Sequence, residues 1–391
     1  MRILSISTLY PSDAQPNFGV FVERQMQAVI RRGDTEILLI NPVGLPPWPL
    51  SLHPRYRPAS RLAKEEQRGG VNVLRPRFRL LPGIGGRFNP TAIARAVVPL
   101  ARRLHAERPF DLVDAQFFYP DGPAAARIAK ALDLPLTIKA RGADIHHWGS
   151  QPGTASQVLA AGLQAAGMLA VAQGIADDMV ELGLPHERIT LHRTGLDRSC
   201  FRPLDRAAAR ARFGFSPGVP LLATVGALIP RKGQAYVIDA LAHLPDTQLA
   251  LAGGGPDETM LRARAADLGV AGRVHFLGPL PHADLPELLS AADVFVMPSS
   301  SEGLANAWIE ALACGVPVVT TPIPGALELL TDPAFGRFAG RDGREIAEAV
   351  TALLQAPPPP AAVVRATEGY SWEENAAQLV AHWARLVRAR P

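Results

Sequence analysis

Residues 294–320 read VFVMPSSSEGLANAWIEALACGVPVVT. An apolar strand over 294–297 meets Pro298, a polar loop with one glycine follows, and a helix opens near Leu304 to Ala307. The run 317–320 is then apolar again. Strand, loop, helix and strand in so short a span form one unit of a parallel sheet with helices on its faces. Ligands on such sheets bind beyond the carboxyl ends of the strands. The free N–H groups and positive dipole end of a helix start favour phosphate there. Glu302 and Glu310 flank this helix start, about two helical turns apart. Two carboxylates beside a phosphate site need a reason, and sugar hydroxyls, which donate to carboxylates, supply one. The blander reading makes Glu302 a helix cap and Glu310 a solvated side chain.

The alternation continues in both directions. Apolar runs at 221–225, 248–252 and 274–277 join those at 294–297 and 317–320, with helical patterns at 234–244, 258–268, 284–291, 307–314 and 344–354. An earlier series has runs at 3–7, 37–40, 71–74, 112–115, 136–139, 168–172 and 189–192, with helical patterns at 20–31, 91–107 and 122–132. Two such series predict an α/β protein of two Rossmann-like, doubly wound domains. The chain length of 391 residues agrees with two domains. The boundary falls within 193–219, where 196–218 holds Pro203, Gly214, Pro217 and Gly218 and no strand pattern. The segment 42–58 holds six prolines and reads as irregular. Four consecutive prolines, 357–360, form a turn into a last helix, 372–387, whose Trp372, Ala376, Leu379, Trp383 and Leu386 share one stripe.

Composition narrows the class. With 48% hydrophobic and 19% charged residues, the chain is an ordinary globular protein and not a disordered or collagenous one. Cys200 and Cys314 cannot build a disulfide framework and match no zinc pattern. Met1 leads directly into an apolar strand and no signal peptide is visible. No apolar run reaches the ~20 residues a membrane span requires. These features predict a cytoplasmic protein, at most peripheral on the inner face of the cytoplasmic membrane.

The net charge of +4 conceals an asymmetry: residues 1–110 carry +10 and the remainder −6. From Arg75 to Arg108 there are eight arginines and a single acid, Glu107. Such a stretch suits an anionic partner, or is simply a solvated basic surface. No nucleic-acid-binding module accompanies it, so nucleic acid is not the expected partner.

Three further stretches can carry chemistry. In 221–233, LLATVGALIPRKG, a buried strand runs to Val225, Gly226 marks a close backbone approach, and Arg231 and Lys232 open the next helix. This is not a Walker loop, yet two cations after a strand end can neutralise a diphosphate. In 249–256, LALAGGGP, three glycines permit close approach of a ligand or of backbone. In 139–148, KARGADIHHW, Arg141, Asp144, His146 and His147 gather after a strand. Neighbouring histidines point apart and do not share a metal. No Asp-x-Asp occurs in the chain, which argues against a transferase built on a carboxylate-held divalent ion.

At this point the sequence resembles the family-four retaining glycosyltransferases of the GT-B type, over nearly its whole length and most specifically from Leu221 to Gly325. The family's Glu-x7-Glu signature appears as Glu302 and Glu310, after Pro298-Ser299 and before Ala-Leu-Ala-Cys-Gly-Val-Pro-Val-Val. Its strand–Lys–Gly motif is Val225-Gly226…Lys232-Gly233, and its Gly-x-Gly-Pro turn is Gly253 to Pro256. Arg273 to Gly278, Ala292-Asp293-Val294 and Ser371-Trp372-Glu373 also fit. Tyr10-Pro11…Gly19-Val20-Phe21-Val22 resembles the branch that makes bacterial cell-surface polysaccharides.

The resemblance implies two Rossmann-like domains facing a central cleft: 1–195 for the acceptor, 196–370 for the nucleotide sugar, and 371–391 as a helix crossing back to the first. It implies that Lys232, helped by Arg231, holds the donor diphosphate together with the N–H groups of Leu304, Ala305 and Asn306. Gly226 and Gly303 belong to the same donor loops. Glu310 would accept from ribose hydroxyls, Glu302 would hold a hydroxyl of the transferred sugar, and Leu280 would lie near the base. Gly19 would let the first loop approach the donor. Two positions depart from the pattern: Ala227 stands where an arginine is common. Arg141-Gly142-Ala143-Asp144 replaces His-Gly-x-Asp, putting a fixed cation, Arg141, with Asp144 at the reacting end. Arg141 cannot act as a general base near neutral pH. The expected activity is retaining, metal-independent transfer of a hexose from a UDP- or GDP-linked sugar to a lipid-linked or polysaccharide acceptor. No cofactor is expected beyond that substrate. The basic stretch from Arg75 to Arg108 would face an acidic membrane. The alternatives are a nucleotide-sugar epimerase of the same fold and a non-catalytic sugar-nucleotide-binding protein.

Overall fold

The computed structural model describes residues 1–83 and 86–389. The chain divides into two compact units, Met1–Gly195 with Trp372–Pro391, and Leu196–Ser371. Each is built on a parallel sheet.

The sheet of the second unit has six strands in the order Val274–Gly278, Gln248–Ala252, Leu221–Val225, Val294–Val296, Val318–Thr320 and Gly336–Phe338. All its pairs are parallel. In chain order this is 3-2-1-4-5-6, which reverses direction between Leu221–Val225 and Val294–Val296. The strands are apolar runs because both faces are covered. On one face Phe295, Trp308, Ile309, Leu312 and Phe335 pack together; on the other Val237, Leu241, Leu249, Ile346 and Val350 do so. Asp293 of the Ala-Asp-Val motif is a structural latch. Its carboxylate accepts from Leu221 N at 2.8 Å and from Arg210 at 2.6 Å, tying the adjacent strand to the helix Arg206–Phe213.

The first unit's sheet runs Ile189–Leu191, Gly167–Ala170, Leu136–Ala140, Leu112–Ala115, Arg2–Ile6, Glu36–Ile40, Val71–Leu74 and Glu65–Arg68. It is parallel except at its last pair. The helix Trp372–Arg388 belongs to this unit and lays Trp372, Ala376, Leu379, Trp383 and Leu386 on the same apolar cluster as Val22, Met26 and Val29 of the helix Val20–Arg31. Polar contacts pin it. Trp383 Nε1 donates to the buried Asp114 carboxylate at 3.3 Å, and Gln25 Nε2 donates to Asn375 Oδ1 at 2.8 Å. His192 Nε2 lies 2.8 Å from the Asn375 carbonyl, so that nitrogen carries the proton and Nδ1 accepts from Lys139 Nζ at 2.7 Å.

One expectation needs correction. The proline-rich segment 42–58 contains regular elements: a strand Val43–Leu45, a 3-10 turn Leu50–Leu52 and the start of a short helix Arg57–Ser60. The strand falls in the proline-free interval between Pro42 and Pro46, and Pro58 sits in the helix's first turn, where its missing N–H costs nothing. The boundary segment also holds the helix Arg206–Phe213, with Asp205 capping Ala208 N at 2.8 Å and Gly214 ending it in the left-handed region. The segment has no strand, as the sequence indicates, and the units divide at Gly195 and Leu196.

Candidate active site

The second unit's candidate residues converge where its strand order reverses. The strand Leu221–Val225 delivers Gly226 and then a 3-10 turn, Pro230–Lys232; the strand Val294–Val296 delivers the loop that carries Glu302. Gly233 joins them. Its φ is 77°, and a Cβ there would lie 2.4 Å from the Pro298 carbonyl oxygen. Only glycine fits both the conformation and the space. Ser300 N donates to Arg231 O at 2.8 Å, and Arg231 Nη1 donates to Ser301 O at 2.7 Å, fastening the two loops.

The result is a three-charge cluster. One Glu302 oxygen, Oε1, lies 2.6 Å from Lys232 Nζ and 2.6 Å from Arg231 Nη1. Lys232 and Glu302 are largely buried, with 14% and 12% of their side chains exposed, while Arg231 is more open at 38%. The cluster carries a net positive charge, and its carboxylate is also an acceptor for hydroxyls.

The helix after Glu302 spans Asn306–Ala313, with Ala305 at its N-cap and no side chain capping it. Its first N–H groups are therefore not used by a cap. Leu304, Ala305 and Asn306 form this start. Gly303 just before it is packed on Gly325, where a Cβ would come within 1.8 Å of the Gly303 carbonyl oxygen. Glu310, one turn into the helix, is held by a residue the motifs did not indicate. His282 Nε2 lies 2.8 Å from Glu310 Oε1, and the His282 ring meets Phe201 edge-on at 5.0 Å. No spacing rule links a His after the strand Val274–Gly278 to a Glu on a later helix, so sequence carried no signal for it. Leu280 is partly buried against the apolar clusters of this unit.

The glycine run has a backbone purpose. A Cβ at Gly253 would sit 1.9 Å from Gly226 O, and one at Gly255 would sit 2.2 Å from Leu228 O. Leu228 N donates to Gly254 O at 3.1 Å. These glycines stack one strand-end loop on another. Ala227 lies within that stack, and its carbonyl accepts from Gln234 Nε2 at 2.9 Å.

Gly19, Arg141 and Asp144 lie in the first unit. Gly19, with φ of 78°, starts the helix Val20–Arg31, and a Cβ there would lie 2.5 Å from the Leu9 carbonyl group. Packing inside this unit therefore already requires glycine. Arg141 is clasped by its own unit: Nε donates to Gln116 O at 3.0 Å, and Nη2 to Gln116 Oε1 at 2.7 Å and Gln25 Oε1 at 3.3 Å. Its guanidinium stacks over Phe21 and Phe117 at 4.7 and 5.3 Å. Loss of hydration pulls it down to about 10, opposed by Asp144, Asp114 and Asp121, so it stays cationic at neutral pH. Asp144 is buried and accepts from the N–H groups of Phe118, Gly142 and Arg141 at 2.8, 2.8 and 3.0 Å. It braces the loop that presents Arg141.

The basic stretch is corrected at its start. Arg75 is 1% exposed and donates to Asn41, Pro11 O and Glu66. Arg77 donates to Leu62 O, and Arg108 pairs with Glu36 at 2.6 Å. Arg75 holds the interior of the sheet edge and cannot face a membrane. Among the described residues no group of three or more His, Cys, Asp or Glu is placed to hold a metal ion, and no helix is long and apolar enough to cross a membrane.

Residues 205–369 match the family model described as glycosyl transferases group 1, and residues 19–195 match the glycosyl transferase 4-like domain. The chain is a GT-B glycosyltransferase of the family-four type. This glycosyltransferase is 28% identical over 356 residues to the putative teichuronic acid biosynthesis glycosyltransferase TuaC of Bacillus subtilis, covering 90% of this chain and 88% of that one. It is 37% identical over 213 residues to the D-inositol 3-phosphate glycosyltransferase of Mycolicibacterium paratuberculosis, a match spanning 51% of this chain and 48% of that one. Its fold is that of Anabaena HepE, crystallised in complex with UDP. The TM-score is 0.76 at 19% identity, over 98% of this chain and 100% of that one. Two family models on two halves of one glycosyltransferase accord with the two parallel sheets described above.

Proposed function

We propose that the protein transfers a hexose from a UDP- or GDP-linked sugar to a lipid-linked or polysaccharide acceptor in cell-surface polysaccharide synthesis, with retention at the anomeric carbon and without a metal ion. The observation that carries this reading is the Arg231–Glu302–Lys232 cluster at the reversal of the second sheet, beside an uncapped helix start. The teichuronic acid relative supports the cell-surface assignment, and the UDP complex of HepE supports the donor class.

In this reading Lys232 and Arg231 take the diphosphate, aided by the N–H groups at Leu304, Ala305 and Asn306. Glu302 then exchanges a cation for a sugar hydroxyl, and Glu310, oriented by His282, accepts from the ribose. Charge builds on the departing diphosphate as the C–O bond breaks, and preorganised cations lower that barrier. The acceptor hydroxyl forms its bond on the face the diphosphate leaves, and its proton passes to a phosphate oxygen of the leaving group. Arg141, whose loop Asp144 braces, supplies the first unit's fixed cation toward an anionic acceptor. No cofactor enters besides the nucleotide sugar.

The test is a panel of UDP- and GDP-sugars read first by thermal shift and then by transfer to polyprenyl-diphosphate-linked acceptors, with the product anomer read by NMR. A retained anomer formed at full rate in EDTA is expected. An inverted anomer, or an absolute need for a divalent ion, overturns the mechanism. An isomerised sugar formed from donor alone identifies the epimerase instead, and binding without any turnover identifies the binding protein.

A further inference from the structure

The first unit carries a surface that this site does not use. After the strand Glu36–Ile40 the chain leaves the main sheet, and Val43–Leu45 pairs in parallel with Arg77–Arg79 as a separate ladder. Parallel pairing sends both strands out at the same end. Leu80 N donates to Leu45 O at 3.0 Å, which holds the two exits side by side.

Large apolar side chains stand in solvent beyond those exits. Trp48 is 79% exposed, Leu52 66%, Leu50 53% and Leu81 44%. The other four tryptophans, Trp148, Trp308, Trp372 and Trp383, are buried or half-buried. Scattered single exposures are ordinary; a Trp and two Leu on one short turn are not. The turn is stiff, since Pro46, Pro47, Pro49 and Pro54 restrict it around the 3-10 turn Leu50–Leu52. It therefore presents these groups with little ordering left to do on binding.

The charge behind the turn has one sign. Residues 41–64 contain Arg55, Arg57, Arg61 and Lys64 and no Asp or Glu. All four are exposed, and none stands in an ion pair among the described residues. Several other arginines of this unit do stand beside a carboxylate: Arg75 with Glu66, Arg68 with Glu23 and Arg108 with Glu36.

We infer that this loop docks the protein on an anionic lipid bilayer. Trp48, Leu50 and Leu52 enter the boundary between headgroups and acyl chains, and the four cations meet the lipid phosphates. Amphipathic Trp and apolar Leu flanked by basic residues is the chemistry of interfacial attachment, and each cation near an acidic surface strengthens binding about fivefold. The inference extends the lipid-linked-acceptor reading and rests on it only for where the acceptor lies.

The test uses the full chain without donor or acceptor, so its outcome is separate from that of the transfer reaction. Cosedimentation with phosphatidylglycerol–phosphatidylcholine vesicles is compared with pure phosphatidylcholine vesicles. Binding to the acidic vesicles is expected to be at least tenfold tighter, roughly, for the four cations together. Trp emission should shift to the blue on binding, and Trp48→Phe should lose that shift while still binding. The triple variant W48A/L50S/L52S should lose about tenfold or more in binding, and R55E/R57E/R61E should lose still more, with unchanged circular dichroism and thermal unfolding of the free chain showing that both remain folded. Equal binding to both vesicle types, or no vesicle binding at all, as for a protein-docking surface, overturns the proposal. Binding that the cations carry but that the triple variant leaves unchanged overturns insertion.

Discussion

Lys232 Nζ and Glu302 Oε1 stand 2.6 Å apart in a largely buried ion pair, each delivered by a different strand of the second sheet. A cation meant for a diphosphate is thus already compensated by a carboxylate, which must be released or shared when a phosphate arrives. Lys232→Ala is expected to lose ~10²–10³-fold in turnover, the effect of deleting one preorganised charge. Glu302→Gln should behave differently. It frees Lys232 and Arg231 for phosphate, so nucleoside diphosphate binds more tightly while transfer falls. Calorimetry with the diphosphate beside steady-state transfer separates the two effects. Weaker diphosphate binding in Glu302→Gln would refute this account of the pair.

Much of this cluster was legible because local rules produce it. Val225-Gly226, Arg231-Lys232-Gly233 and the two glutamates sit at strand ends and a helix start, where short-range patterning is strong. The holding contacts were not legible. His282 reaches Glu310, and Gln25 and Gln116 clasp Arg141, through tertiary packing that no spacing encodes. Arg75 misled for the opposite reason. A run of arginines looks like a surface until the sheet edge is built, and then its first member is found inside, on Asn41 and Glu66.

His282→Ala removes the partner 2.8 Å from the Glu310 carboxylate. If Glu310 receives the ribose, loosening it should raise the donor KM roughly fivefold to tenfold, with a kcat change of less than about twofold, in keeping with the net worth of one hydrogen bond. His282→Gln should restore part of the affinity. An unchanged KM with a large fall in kcat would move His282 into the reaction itself.

Gly325→Ala puts a methyl group within 1.8 Å of the Gly303 carbonyl oxygen. The obstruction is backbone and cannot swing away. The second unit should lose about 1–3 kcal/mol by overpacking. The displaced Gly303 should also weaken donor binding at temperatures where the variant is fully folded. Nucleotide titration at low temperature is the check; native affinity there would show that Gly303 has no part in the donor loop.

His382 is buried, accepts from Arg385 at Nδ1 at 3.0 Å and meets Thr137 Oγ1 at 2.9 Å. Burial, with Arg385 and Lys139 nearby, holds it down to about 4. In the unfolded chain it titrates near ~6.5. Between these values the unfolded state binds a proton that the folded state refuses. Its contribution is therefore intact above pH ~6.5, declines as pH falls and is fully lost near ~4, an upper bound on the order of 3 kcal/mol. In denaturant titrations across that window, His382→Gln should flatten the fall in stability of the first unit. An unchanged slope would contradict the assignment.

The helix Trp372–Arg388 completes a sheet whose strands were all synthesised long before it. Until it leaves the ribosome, the buried carboxylate of Asp114 lacks Trp383, Gln25 lacks Asn375 and the apolar face around Met26 lacks its cover. The middle of the chain, by contrast, holds every strand of its own sheet by Phe338. The order of completion is thus the reverse of the order of synthesis. The second unit can finish first, and a nascent chain cut short anywhere after it leaves the first unit open, with an apolar face exposed to quality control.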